Sequence, residues 1–190
     1  FNGGVEATHP GEVFFNVPSQ KVENYATVPA MSAEIIRDEA LSKIANLNEK
    51  FYDFILINFA NPDMLGHTGD FKATVRGNEI VDRCTADVAT AVLNAGGAVV
   101  ITADHGNCET MIDRVSKEID IAHTNNPVPM SILTSPSEIN SKMGIPLLKV
   151  GTGTQSKATG LLADIAPTCL GLLGADTPAN MTGVDIRKML

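Results

Sequence analysis

The chain has 190 residues, 44% of them apolar, which is enough for one ordinary domain with a hydrophobic core. Its formal net charge of −8, with 14 Lys and Arg against 22 Asp and Glu, argues against a nucleic-acid partner, because such proteins carry a clustered basic face. The sequence also lacks an apolar run near the roughly 18 residues that cross a membrane, and its three cysteines show no CxxC spacing, so we expect a soluble protein of a reducing cytoplasm.

The first part of the chain contains a turn, a short strand and a helix. The turn signal Asn2-Gly3-Gly4 directly after Phe1 indicates a piece of a longer polypeptide. The aromatic and β-branched residues 12–18 predict a short strand. After Pro29, Ser32 can cap a helix whose apolar stripe recurs at three- and four-residue steps: Ala33, Ile36, Ala40, Ile44 and Leu47.

The middle of the chain predicts two strands separated by a long helix. Residues 54–60 (FILINFA) form a continuous apolar run, as expected for a strand buried on both faces of a parallel sheet. Residues from about Lys72 to Asn94 then place apolar side chains on one side of a helix, and Gly96-Gly97 ends it. The strand of residues 98–103 follows directly.

The last part of the chain predicts two further strands and a helix. The strands are residues 128–134 and the short run PLLKV at 146–150, and the helix spans about 160–173 and closes at Gly174. We expect residues 151–160 to form a surface loop. Because strands alternate with helices, the sequence predicts an α/β fold with a largely parallel open sheet and helices on both faces.

Three of the four histidines lie close to predicted strand ends. Asp63 and His67 follow the strand 54–60, and their spacing of four places both on one side of a helical turn, where they can bind one cation. Asp104 and His105 leave the strand 98–103, and would need a sharp turn, eased by Gly106, to share an ion. His123 precedes the strand 128–134.

These two carboxylates and three imidazoles predict a metal site at the carboxyl ends of the strands. Mixed oxygen and nitrogen ligands suit manganese, zinc or cobalt better than calcium, and the absence of thiolate ligands argues against a closed structural zinc site. Taken singly, each histidine has an alternative role as a hydrogen-bonded structural residue, and each aspartate as a helix cap. Three such clusters at successive strand exits favour the metal site.

The residues around these clusters closely resemble the cofactor-independent phosphoglycerate mutases of the alkaline phosphatase superfamily. The specific motifs are NFANPDMLGHTG at residues 58–69 and TADHGN at 102–107. The match runs nearly end to end, through FNGG at 1–4, PSQKV at 18–22, AHTNNPVP at 122–129 and ADIAPT at 163–168. The resemblance implies an alkaline-phosphatase-like α/β fold, with residues 1–30 as hinge or linker and first strand, and 31–190 as the carboxy-terminal part of a metal-binding phosphatase domain.

The resemblance also implies a ligand set and a reaction. Asp63, His67 and His123 would hold one divalent ion, usually manganese, and Asp104 and His105 would contribute to a second. Lys21 would contact the substrate phosphate or the phosphoserine. The family interconverts 3-phosphoglycerate and 2-phosphoglycerate through a phosphoserine, in glycolysis and gluconeogenesis, and is typically monomeric.

The resemblance places the nucleophilic serine, a further aspartate of the second metal site and the arginines that bind glycerate outside this sequence. We therefore expect this chain to need the remainder of its own polypeptide, and to be inactive alone. Ala26 and Ala30 stand where the family usually has acidic residues, which bears on domain closure more than on metal binding. The rival interpretations are another enzyme of the superfamily, such as a phosphopentomutase or a phosphonate hydrolase, and a non-catalytic folded fragment.

Overall fold

The computed structural model describes residues 9–45, 52–113, 115–134 and 160–189. In chain order the elements are α1 (Ala33–Ala45), α2 (Asn61–Gly66), α3 (Phe71–Asn94), β1 (Ala98–Thr102), β2 (Met130–Thr134) and α4 (Ile165–Leu172). Short 3-10 helices lie at Tyr25–Thr27, Leu162–Asp164 and Ile186–Met189. Within these ranges no helix combines the length and the apolar character that crossing a membrane requires.

Helices α1 and α3 pack against each other and form the core. Near the start of α1, Ala33 packs with Ile80 and Cys84 of α3. Near its end, Ala40 and Ile44 pack with Val88 of α3, so that two clusters line one continuous contact. This pairing confirms the apolar stripes predicted for both helices; the predicted stripe residue Leu47 lies outside the described residues.

Both ends of α3 follow from local sequence. Asp70 caps the first turn, where its side chain accepts a hydrogen bond of 2.9 Å from the backbone N–H of Ala73. At the other end Gly96 has a φ of +80°, a left-handed conformation that glycine adopts without steric cost. The predicted helix and its glycine stop are therefore confirmed, and β1 follows directly.

The described sheet consists of β1 and β2, which run antiparallel. Their register pairs Ala98 with Thr134 and Thr102 with Met130. Both strands were predicted at these positions, but the parallel arrangement expected for them is wrong for this pair. The physical reason is that the described residues between 102 and 130 contain no crossover helix. Antiparallel bridges of Gly106 with Thr124 and of Ile112 with Ile119 fold this segment back on itself, so the chain returns along β1.

Two predicted strands are not strands in the described part of the chain. Residues 12–18 and 54–60 belong to neither a helix nor a sheet. Within 54–60, Ile57 and Phe59 pack on the α1 and α3 clusters, whereas Leu56 between them is 61% exposed. The alternation of a strand is present only in residues 56–60, and this run has no strand neighbour among the described residues.

The carboxyl-terminal residues form a small helical unit around α4. The buried Asp164 accepts hydrogen bonds from the backbone N–H groups of Leu161 and Val184, at 2.7 and 2.8 Å, and these bonds hold the pKa of its carboxyl below the ordinary value. Gly174, with a φ of +73°, follows the helix as predicted. The predicted strand 146–150 and nearly all of the predicted loop 151–160 lie outside the described residues.

Leu65 connects the short helix α2 to α3. Its side chain is fully buried, and a Cβ on Gly77 of α3 would overlap its Cδ1 atom. Glycine inside a helix costs about 1 kcal/mol relative to alanine, so the close approach of Leu65 gives this glycine a packing role. The contact fixes α2 against the long helix.

We expect Leu65→Ala to lower the free energy of unfolding by about 2–5 kcal/mol, because it removes a fully buried side chain and leaves a cavity. Urea unfolding measures the loss. The matched control is Ile35→Ala, at a side chain that is 56% exposed on α1, which should change the free energy of unfolding by no more than about 0.5 kcal/mol. Equal losses in the two variants would contradict the packing described for α2.

Candidate metal centre

Helix α2 places Asp63 and His67 side by side. The helix begins at Asn61 and Pro62, directly after segment 54–60, and proline suits the first turn of a helix. Asp63 lies in that first turn and His67 at the carboxyl end, where its N–H donates to the Asp63 carbonyl at 3.0 Å. Asp63 Oδ1 and His67 Nε2 are 3.2 Å apart. The helical turn and the shared direction expected from the spacing are both confirmed.

His123 reaches the same point from a distant part of the chain. Its Nε2 atom lies 3.1 Å from Asp63 Oδ1 and 3.0 Å from His67 Nε2. The three atoms form a nearly equilateral triangle. Ligand atoms bound at about 2.0–2.1 Å to a four- or six-coordinate ion are separated by roughly 3.0–3.4 Å, so this triangle has the dimensions of a metal-binding face.

The hydrogen bonding of Asp63 supports the same geometry. The side chain as a whole is 35% exposed, yet its Oδ1 atom is buried and has no hydrogen-bond partner. The two imidazole nitrogens are close enough to this oxygen for charged contacts, but neither forms a hydrogen bond with it. A buried carboxylate oxygen without a donor is costly, and a cation would satisfy it.

His105 joins the cluster through His123. The two rings stack, with centroids 3.9 Å apart and planes at 19°. Asp63, His105 and His123 each offer one ligand atom, and these three atoms lie within 4.8 Å of one another. They form a second, looser candidate set, which shares Asp63 and His123 with the triangle. The set with His67 is the tighter one and fits a single ion better, because its three atoms lie within 3.2 Å of one another.

The remaining predicted site residues lie apart from the triangle. The Asp104 side chain is 89% exposed, and its Oδ1 atom lies 3.6 Å from His105 Nε2. Lys21 is exposed in the irregular segment before Asn24. The structure thus brings together Asp63, His67, His123 and His105, and it places Asp104 next to His105 at 3.6 Å. Within the described part of the chain, Lys21 forms no hydrogen bond or ion pair with any of them.

Polar residues that the sequence reasoning did not single out hold the loops of the centre. Glu109 accepts hydrogen bonds from the backbone N–H of Asn107 at 2.7 Å, from Asn126 Nδ2 at 2.9 Å and from the Thr124 hydroxyl. Partial burial opposes ionisation of Glu109, but these hydrogen bonds outweigh it and lower the pKa of the carboxyl. The sequence offered one indication of their role, because Asn107 and Glu109 follow His105 closely, and Thr124 and Asn126 follow His123.

Comparison with known proteins identifies the family to which this chain is similar. Residues 1–177 match the family model described as "Metalloenzyme superfamily". The 2,3-bisphosphoglycerate-independent phosphoglycerate mutases of Syntrophotalea carbinolica and of a Cyanothece species are 46% and 43% identical to this chain, each over 96% of it. The chain spans about a third of the length of these curated relatives, 32% in each case.

A solved structure is similar as well. It is that of Leishmania mexicana phosphoglycerate mutase, described as determined at low cobalt concentration. The TM-score is 0.74 and the sequence identity 32%, over 96% of this chain and 33% of that one. Phosphoglycerate mutases are therefore similar to this chain in both sequence and fold.

Asn61 gives a test of how α2 is held. Its buried side chain donates two hydrogen bonds of 2.9 Å, to the carbonyls of Pro29 and Ala30. We expect Asn61→Ala to lower the free energy of unfolding by about 1–3 kcal/mol, because both carbonyls lose their donor. Chemical denaturation measures this. The control Asn58→Ala, at an exposed position three residues earlier, should have almost no effect; a comparable loss there would argue against the anchoring role of Asn61.

Proposed function

Since this chain belongs to the metalloenzyme superfamily, we propose that Asp63, His67 and His123 hold one divalent metal ion and that Asp104 and His105 contribute to a second. The observation that carries the proposal is the triangle of Asp63 Oδ1 and the two Nε2 atoms, with sides of 3.0–3.2 Å. The buried Oδ1 atom without a hydrogen-bond partner supports it further.

The second ion depends on groups beyond those described. His105 lies beside the triangle, but Asp104 is exposed and the pair offers only two ligands. Resemblance to the mutases supplies a further aspartate and the nucleophilic serine from another part of the polypeptide. We propose manganese for both ions, because a carboxylate and imidazole set without thiolate suits it.

We propose that the complete enzyme interconverts 3-phosphoglycerate and 2-phosphoglycerate through a phosphoserine, as part of glycolysis and gluconeogenesis. Bound divalent ions lower the pKa of a coordinated hydroxyl and neutralise phosphoryl oxygens. The residues of this chain hold and orient those ions, and Lys21 contacts the substrate phosphate as a flexible cation. The catalytic serine is not among the residues of this chain.

The partner of this chain is then the rest of its own polypeptide, which we place against segment 54–60. Phe54 and Leu56 are 53% and 61% exposed there, and the backbone lacks a strand neighbour among the described residues. The curated relatives are about three times as long as this chain, so each has polypeptide available to pair here. A strand added at this segment would complete an alkaline-phosphatase-like sheet.

The remaining expectations stay predictions. They are a cytoplasmic location, a monomeric state and the absence of nucleic-acid and membrane partners. The similarity to named phosphoglycerate mutases argues against a phosphopentomutase or phosphonate hydrolase, whereas a failure to bind metal would favour a folded fragment without a catalytic role.

Metal binding is tested by calorimetric titration of the chain with Mn²⁺. We expect heat of binding and a rise in melting temperature, because a ligand at 100 times its dissociation constant stabilises by about 2.7 kcal/mol. Asp63→Ala should abolish both effects, since it removes the shared oxygen of the triangle. The control Asp53→Ala removes an exposed carboxylate ten residues earlier and should bind Mn²⁺ as the unchanged chain does. Absence of heat in the unchanged chain would overturn the metal site.

Activity is tested with a chimera in which this chain replaces the matched third of the Syntrophotalea carbinolica mutase. We expect the chimera to convert 3-phosphoglycerate to 2-phosphoglycerate, as followed by phosphorus NMR, and the chain alone to show no turnover because it lacks the nucleophile. Addition of EDTA should stop the reaction. Turnover that resists EDTA would contradict the metal mechanism, and turnover by the chain alone would contradict the missing serine.

A further inference from the structure

The loops that carry His105 and His123 are joined directly. The backbone N–H of Thr124, next to His123, donates a 2.8 Å hydrogen bond to the carbonyl of Gly106, next to His105. The rings of the two histidines stack beside this bond, with centroids 3.9 Å apart. The loops are also joined further from the histidines, where the Asp120 N–H donates to the Met111 carbonyl at 3.0 Å.

Glu109 adds a side-chain link between the two loops, next to the histidines. One carboxylate oxygen, Oε2, accepts from the backbone N–H of Asn107, two residues after His105. The other, Oε1, accepts from the Thr124 hydroxyl and from Asn126 Nδ2, on the loop of His123. The carboxylate therefore spans the two loops and completes a closed ring of hydrogen bonds with the backbone bridge.

Asn107 extends the connection to α2. Its side chain is buried, its Nδ2 atom donates to the Ile121 carbonyl at 3.4 Å, and its Oδ1 atom lies so close to Gly66 that a Cβ there would overlap it. Gly66 directly precedes His67. All three segments that carry the candidate ligands thus meet at Asn107 and Glu109.

We propose that Glu109 is a positioning residue, which fixes His123 relative to Asp63 and His105 before a metal ion binds. The inference rests on the proposed metal site and deepens it. Groups that orient ligands commonly change metal affinity about 10- to 100-fold when they are removed. Glu109 as a residue is exposed, but its carboxylate oxygens accept three hydrogen bonds from the two loops, so its effect on the ligands comes through the geometry of those loops.

The test is cobalt titration of the chain carrying Glu109→Gln, followed by visible absorption of the bound ion. The amide has the shape of the carboxylate, but its NH₂ group cannot accept the hydrogen bonds that one of the two oxygens receives. We expect the dissociation constant for Co²⁺ to rise by about 10- to 100-fold and the absorption spectrum to change, because His123 is no longer held in place. The metal-free melting temperature should stay close to that of the unchanged chain.

Two further variants make the result specific. Glu118→Gln removes an exposed carboxylate from the turn between the two loops, and should leave the affinity and the spectrum unchanged. Thr124→Val keeps the shape of residue 124 and removes its hydroxyl donor, so it should weaken Co²⁺ binding in the same direction as Glu109→Gln. In the double variant Glu109→Gln, Thr124→Val, the dissociation constant for Co²⁺ should rise by less than the product of the two single increases. The reason is that both substitutions break the same hydrogen bond, between Thr124 and Glu109.

The outcomes separate the two proposals. If the unchanged chain does not bind Co²⁺, the proposed metal site itself fails. If it binds and both Glu109→Gln and Thr124→Val bind equally well, only the positioning role is overturned. A lower metal-free melting temperature with unchanged affinity likewise overturns it, because Glu109 would then only stabilise the fold. Should Glu109→Gln fail to fold, the affinity of Thr124→Val decides.

Discussion

The contact between Asp63, His67 and His123 constrains the rest of the described structure. Three potential ligand atoms lie 3.0–3.2 Å apart, and the carboxylate oxygen among them is buried without a donor. A buried carboxylate oxygen without a donor is unfavourable by itself. The surrounding segments must therefore be packed firmly enough to keep these atoms at that spacing.

The means of holding them are distributed over the whole core. Leu65 fixes α2 against α3, and Asn61 fixes its first turn to the carbonyls before α1. The loop of His123 is fixed from the other side, through Thr124 and the Glu109 carboxylate. Packing of α1 on α3 thus matters to the site because it supplies the rigid surface on which α2 rests.

The local parts of this arrangement could be predicted from residue spacing. Among the non-local parts, the family resemblance implied that His123 joins Asp63 and His67, whereas the other long-range contacts could not be predicted. The pairing of Asp63 with His67 and the stop of α3 at Gly96 depend on neighbouring residues only, so spacing and glycine chemistry were sufficient. The direction of β2 and the unpaired state of 54–60 depend on which strands lie alongside. Contacts such as Glu109 with Thr124 join side chains 15 residues apart, and no periodic pattern predicts them.

The exposed face of residues 54–60 has a consequence for handling the isolated chain. The run contains no charged residue and no proline, and it presents Phe54, Ile55 and Leu56 to solvent beside an open backbone edge. Short uncharged segments of this kind promote edge-to-edge aggregation when nothing covers them. Solubility at high concentration therefore depends on whether another strand covers this edge. Leu56→Lys would place a charge in the run and oppose association of this edge with a second copy.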